Sequence, residues 1–153
     1  MDLFLLGVSH HTAPVDLRER VDFTKRGLVE ALGELAKGPA PAEAVVLTTC
    51  NRAEIYVACE DAETTRADLS AFMSHFHGVP TVELAPHLYT RQGEEVARHL
   101  FRVAAGLDSL VVGEPQIFGQ VKEAYAVAEK QGSTGTLLNK LFPWSFTVGK
   151  RVR

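Results

Sequence analysis

Five consecutive residues, Thr48, Thr49, Cys50, Asn51 and Arg52, set two hydroxyls, a thiol, an amide and a guanidinium side by side. They join two apolar runs. Residues 44–47 read as a short buried strand, and residues 55–59 as a strand alternating with one face buried. A hairpin needs none of this chemistry, since Asn-Gly or Asp-Gly turns the chain more readily. A thiol in a polar, cation-bearing connection can be both exposed and activated. A free thiol, with a pKa of about 8.5, is only a few per cent thiolate at pH 7, and a nearby cation favours the anion. Cys50 is therefore the leading candidate nucleophile, with Arg52 two residues away. The rigid fork of Arg52 also suits a bidentate grip on a carboxylate, a use that competes with thiolate support. The same pattern fits a small buried cysteine beside a turn, and that reading stays open.

Other side chains divide into stronger and weaker candidates. His99 falls three residues after Val96 and four before Val103, on the apolar face of a helical segment. A structural histidine fits that position, and so does an inward-facing general acid or base. His75 and His77 point apart on a helix, while His10 and His11 are adjacent in a loop. Neither pair gains a carboxylate or thiolate at ligand spacing, so no metal is expected. Gln116 and Gln120 face one way from the first turns of a helix, with Ser109 and Glu114 just upstream. Such neutral groups suit a polar, partly anionic ligand, or they are solvated glutamines on a capped helix. There is no G-x-G-x-x-G and no G-x-x-x-x-G-K-[ST].

The elements that must position these groups follow from periodicity. Residues 3–8 read as a strand ending in a polar loop, followed by a short helical piece around 17–21. Leu28, Ala31, Leu32, Leu35 and Ala36 mark a helix with Thr24 placed to cap it and Gly38-Pro39-Ala40-Pro41 to stop it. After the two strands around Cys50, with Cys59 read as an inert core thiol, comes a helix carrying Leu69, Phe72, Met73 and Phe76. Gly78-Val79-Pro80 ends that helix, and a short strand is expected over 86–91. The order β-α-β-β-α-β is the split βαβ arrangement of ferredoxin-like α+β folds. Three more helical segments are expected over 93–105, 115–131 and 137–153, the last kinked or restarted at Pro143 with Phe142 the last regular residue. The unclosed ending at 148–153 suggests a natural chain that continues.

Composition bounds the possibilities. The chain has 153 residues, 46% of them apolar and 23% charged, and a mean hydropathy near zero, values of a globular domain. A net charge of −3 is far from the basic excess of an autonomous nucleic-acid binder. Two cysteines nine positions apart fit neither a disulfide framework nor a four-ligand zinc site, so a reducing cytoplasm is expected. No run approaches the ~20 apolar residues of a membrane span, and the N-terminus is unlike a signal peptide.

Three long, scattered stretches together closely resemble the glutamyl-tRNA reductases. They are Gly7-Val8-Ser9-His10 with Thr12-Ala13-Pro14, Thr49-Cys50-Asn51-Arg52-Ala53-Glu54-Ile55-Tyr56, and LFRVAAGLDSLVVGEPQI over 100–117. The resemblance implies that Cys50 attacks the aminoacyl ester of glutamyl-tRNA, giving a thioester that NADPH reduces to glutamate-1-semialdehyde for 5-aminolevulinate and tetrapyrrole synthesis. It implies substrate contacts at Thr49, Cys50, Asn51, Arg52, Ser109, Glu114, Pro115, Gln116 and Gln120, and a catalytic requirement for His99. It also implies a catalytic domain over 1–142, a connecting helix beginning over 143–153, and later NADPH-binding and dimerisation domains. The whole protein is then expected to be a cytoplasmic homodimer that hands its product to glutamate-1-semialdehyde aminomutase. This chain alone is expected to hydrolyse the ester slowly. His11, Phe118 and Pro143 depart from the residues expected of the family. A stand-alone cysteine hydrolase using Cys50 and His99, and a ferredoxin-like metabolite-binding module without chemistry, are the alternatives.

Overall fold

The structure, a computed structural model, describes residues 1–38, 43–110 and 116–152. Four strands, β1 (Asp2–Ser9), β2 (Glu43–Thr49), β3 (Arg52–Cys59) and β4 (Tyr89–Gln92), form one sheet in the order β2-β3-β1-β4. Every neighbouring pair is antiparallel. The expected strand over 86–91 is shorter and later than predicted, because Ala85–His87 forms a 3-10 turn around Pro86.

Seven α-helices are seen among the described residues: α1 (Val15–Arg20), α2 (Leu28–Lys37), α3 (Ala62–His77), α4 (Thr81–Leu84), α5 (Glu94–Ala104), α6 (Gln116–Lys130) and α7 (Leu138–Val152). The chain is thus α+β. Helix α3 is opened by Asp61, whose side chain accepts from the Glu63 N–H, and closed by Gly78 at φ 66°. Thr24 does not cap α2. Its N–H and hydroxyl both donate to Asp22 Oδ1 at 2.8 Å, and Gly27 at φ 92° stands at the cap. Phe142 is not the last regular residue either. Pro143 sits on the exposed side early in α7, where its ring forfeits a single backbone bond, and the helix runs on to Val152.

Strand β3 departs most from expectation. The sequence predicts one buried face, yet all eight residues are buried. Ala53, Ile55, Val57 and Cys59 line one face; Arg52, Glu54, Tyr56 and Ala58 line the other. Tyr56 meets Phe142 of α7 edge-on, and Glu54 meets His99 of α5, so this second face lies beneath the C-terminal helices. Those helices turn a half-solvated strand into a core strand. Among the described residues no helix is long and apolar enough to cross a membrane.

Candidate active site

The tight connection between β2 and β3 is held by its own polar residues. The Asn51 N–H donates to Thr49 Oγ1 at 3.1 Å, and the His10 N–H donates to the Asn51 carbonyl at 2.9 Å. Cys50 stands exposed at the tip, while Cys59 is buried at the other end of β3. Thr49 and Asn51, read from the sequence as surplus to a hairpin, in fact hold the turn that presents the thiol to solvent, anchored from the side by the loop after β1.

Arg52 goes the other way. Its residue is 3% exposed, and Nη1 lies 3.2 Å from Glu54 Oε2. Nη2 donates at 2.8 Å both to the Asp108 carbonyl and to Asp108 Oδ2. Three of its donor contacts are thus made within the chain. Burial opposes the guanidinium charge, but Glu54 and Asp108 outweigh it and hold the group above its ordinary range. Asp108 follows α5, so Arg52 ties the segment bearing Ser109 to the Cys50 turn. His11 Nε2 lies 3.4 Å from Asp108 Oδ1, which brings the loop after β1 to the same carboxylate.

Glu54 occupies the centre. Cross-strand register puts Gly7 beside it and Tyr89 beyond Gly7. A Cβ at Gly7 would stand 2.8 Å from Glu54 Cγ and 3.0 Å from Tyr89 Cζ, so only glycine leaves the lane through which Tyr89 reaches the carboxylate. Glu54 Oε2 accepts from the Tyr89 hydroxyl and faces His99 Nε2 at 2.5 Å, while Oε1 accepts from the Tyr56 hydroxyl at 2.7 Å. Burial and the Glu54 charge push both tyrosine hydroxyls well up. His99, with a side chain 12% exposed, sits on α5 between buried Val96 and Val103.

The predicted residues are partly brought together. Cys50, Arg52, Ser109 and His99 are linked through the turn, Asp108 and Glu54. Gln116 is exposed at the start of α6, and Gln120 lines a cavity of about 350 Å³ with Thr48 and Thr24. Glu114 and Pro115 lie outside the described residues. Sequence reading missed Glu54, Tyr56, Tyr89 and Asp108. The spacing of Arg52, Glu54 and Tyr56, each two apart, was a usable signal for one shared face. Among the described residues no three His, Cys, Asp or Glu side chains gather as a metal site.

An α+β domain with an exposed thiol on a sheet-end turn, beside a buried array of Arg, Glu, His and Tyr, is the class these features define. The sequence pattern described as "Glutamyl-tRNAGlu reductase, N-terminal domain" matches residues 6–153, and the chain belongs to that family. It is 51% identical over 154 residues to "Glutamyl-tRNA reductase" of Thiobacillus denitrificans, covering all of this chain and 36% of that protein. It is 46% identical over 153 residues to the Syntrophotalea carbinolica protein of the same name, covering all of this chain and 34% of that one. The solved structure "Glutamyl-tRNA Reductase from Methanopyrus kandleri" superposes with a TM-score of 0.81 at 32% identity, over 99% of this chain and 34% of that one. The chain thus spans about a third of the length of the relatives it matches.

Proposed function

We propose that this chain carries out the acyl-transfer half of glutamyl-tRNA reduction, with Cys50 as the nucleophile. The single observation that carries the reading is the exposed Cys50 on the turn whose next strand opens with buried Arg52 and Glu54. In this reading the Cys50 sulfur forms a bond to the ester carbonyl carbon of glutamyl-tRNA. The carbon–oxygen bond to the tRNA ribose then breaks, the ribose oxygen takes a proton, and a glutamyl thioester remains. His99 supplies and accepts the proton. Thr49, Asn51, Arg52, Ser109, Glu114, Pro115, Gln116 and Gln120 contact the substrate, Arg52 through N–H groups not already given to Glu54 and Asp108.

NADPH, when bound by the longer family proteins, supplies hydride to this acyl group. The residues of this chain do not fit that cofactor, since they include no dinucleotide-binding glycine motif. Without hydride, water cleaves the thioester, and the net reaction is ester hydrolysis. The sheet order β2-β3-β1-β4 supports a ferredoxin-like core. We further read 1–142 as the catalytic unit and 143–153 as the start of a connecting helix. The longer protein is then a cytoplasmic homodimer that hands its product to glutamate-1-semialdehyde aminomutase.

Intact-mass measurement after mixing the chain with glutamyl-tRNA, without NADPH, tests the reading. A glutamyl adduct, or glutamate release, that disappears in Cys50→Ser and does not arise from glutaminyl-tRNA is the expected result. Turnover of simple esters without tRNA would instead favour a general cysteine hydrolase. Binding of glutamate unchanged by Cys50→Ser, with no acyl transfer, would favour a metabolite-binding module.

A further inference from the structure

Glu54 is fully buried and gathers four donor groups: Arg52 from its own strand, Tyr56 two residues on, Tyr89 from β4 and His99 from α5. Burial alone would push its carboxyl up. The charges at His99 and Arg52, with hydrogen bonds from His99 and Tyr89, outweigh burial and hold it at about 2. At neutral pH this carboxylate is ionised and can only accept hydrogen bonds. The ring atom facing it at 2.5 Å, His99 Nε2, must therefore carry a proton. Only Nδ1 is left to exchange one.

We propose that Glu54 is a positioning residue that locks His99 in the Nε2–H tautomer, leaving Nδ1 as the atom that moves protons for the Cys50 reaction. The inference rests on Cys50 and His99 acting as described under Proposed function. As sulfur bonds to the carbonyl carbon, the thiol proton passes to Nδ1, giving an imidazolium with both nitrogens protonated. Glu54 stabilises that cation, and Nδ1–H then returns the proton to the departing ribose oxygen. The groups that face His99 or bear on its charge are Glu54 and Arg52 from β3, Tyr89 from β4, whose ring centroid is 5.7 Å from the imidazole, and Asp108 from the segment after α5. Glu54 alone touches a ring nitrogen among them. Gly7 makes the arrangement possible by leaving the lane open.

The decisive measurement is a long-range proton–nitrogen NMR correlation on the histidine-labelled wild-type chain, with the His99 signals assigned through His99→Gln. With the pH raised until the ring has lost one proton, the expected result is a proton left on Nε2; a proton left on Nδ1 overturns the proposal. It needs no substrate, so it stands apart from any failure of the functional reading, which would show as absent Cys50-dependent acyl transfer in the wild type. Glu54→Gln, checked for folding by circular dichroism, is the second arm. It is expected to slow acyl transfer about 100-fold and to let the singly protonated ring carry its proton on Nδ1, because the carboxylate that fixes Nε2–H is gone. A folded variant whose tautomer matches the wild type overturns the proposal. If Glu54→Gln does not fold, the wild-type tautomer decides.

Discussion

The two faces of β3 are equally hidden from water and chemically opposite. Ala53, Ile55, Val57 and Cys59 present hydrocarbon and one thiol to the core, whereas Arg52, Glu54 and Tyr56 present a charge pair and a hydroxyl. On the first face any side chain of the right volume lowers the free energy by leaving water. On the second, each charge loses its hydration and is tolerated only because partners stand at hydrogen-bond distance. The comparison separates two kinds of dependence. The apolar face is robust to exchange; the polar face is a single unit in which no member is replaceable alone.

The largest effect should come from breaking the pair. Arg52→Ala leaves Glu54 buried without its guanidinium partner and releases Asp108, and should cost about 3–5 kcal/mol, read as a lower urea midpoint. The double variant Arg52→Met with Glu54→Leu should recover much of that stability yet show no acyl transfer. Recovery of activity would dissolve the distinction between the faces. Across the strand, Ile55→Val should cost only about 0.5–1.5 kcal/mol and leave acyl transfer unchanged.

The pH dependence separates the polar face from another buried ionisable group. Glu54 is held at about 2 against an ordinary 4.5, so the unfolded chain binds the extra proton. Its contribution to stability is full above 4.5 and lost as pH falls towards 2. His77, wedged between Phe23 and Phe76 on α3, is pushed down to about 4 by burial from an ordinary 6.5. Its contribution is full above 6.5 and lost as pH falls to about 4. Melting temperature against pH should therefore fall in two windows. His77→Phe should flatten the upper one and Glu54→Gln the lower.

Much of this architecture is legible in the sequence, for a physical reason. Helices α2, α3, α5 and α6 repeat apolar residues at helical spacing, and β1, β2 and β3 are apolar runs between turn formers, so local pattern and fold agree. The exposure of Cys50 was legible because its neighbours in the turn are polar and the apolar runs lie on either side of it. Glu54 was not. A glutamate in a strand normally marks the solvent face, and its burial depends on His99, 45 positions away, and on helices that cover that face. Thr24 was misread as a cap because α2 begins only at Leu28, behind Gly27, while Thr24 is tied back to Asp22 two residues earlier. Regular structure does not end at Phe142, because Pro143 lies on an exposed side and gives up only its own N–H bond, so the helix continues through it.

The smallest effect concerns a second buried glutamate on the same sheet face as Glu54. Glu43 of β2 pairs with Ala58 in register, so it shares that face, yet it meets no cation among the described residues. Its carboxylate instead accepts from the Gly135 and Leu138 N–H groups at 2.9 Å and from Leu137 at 3.3 Å, capping α7 from a distant strand. A Cβ at Gly135 would lie 2.8 Å from Glu43 Cδ, so the close approach needs glycine. If satisfied hydrogen bonds, not charge pairing, keep Glu43 in place, a neutral isostere should suffice there and fail at Glu54. Glu43→Gln keeps an oxygen for two of the three donors and should cost about 1 kcal/mol in urea unfolding, with acyl transfer unchanged. A loss as large as that of Arg52→Ala would mean that both glutamates depend on their charge, and that the polar face extends across β2.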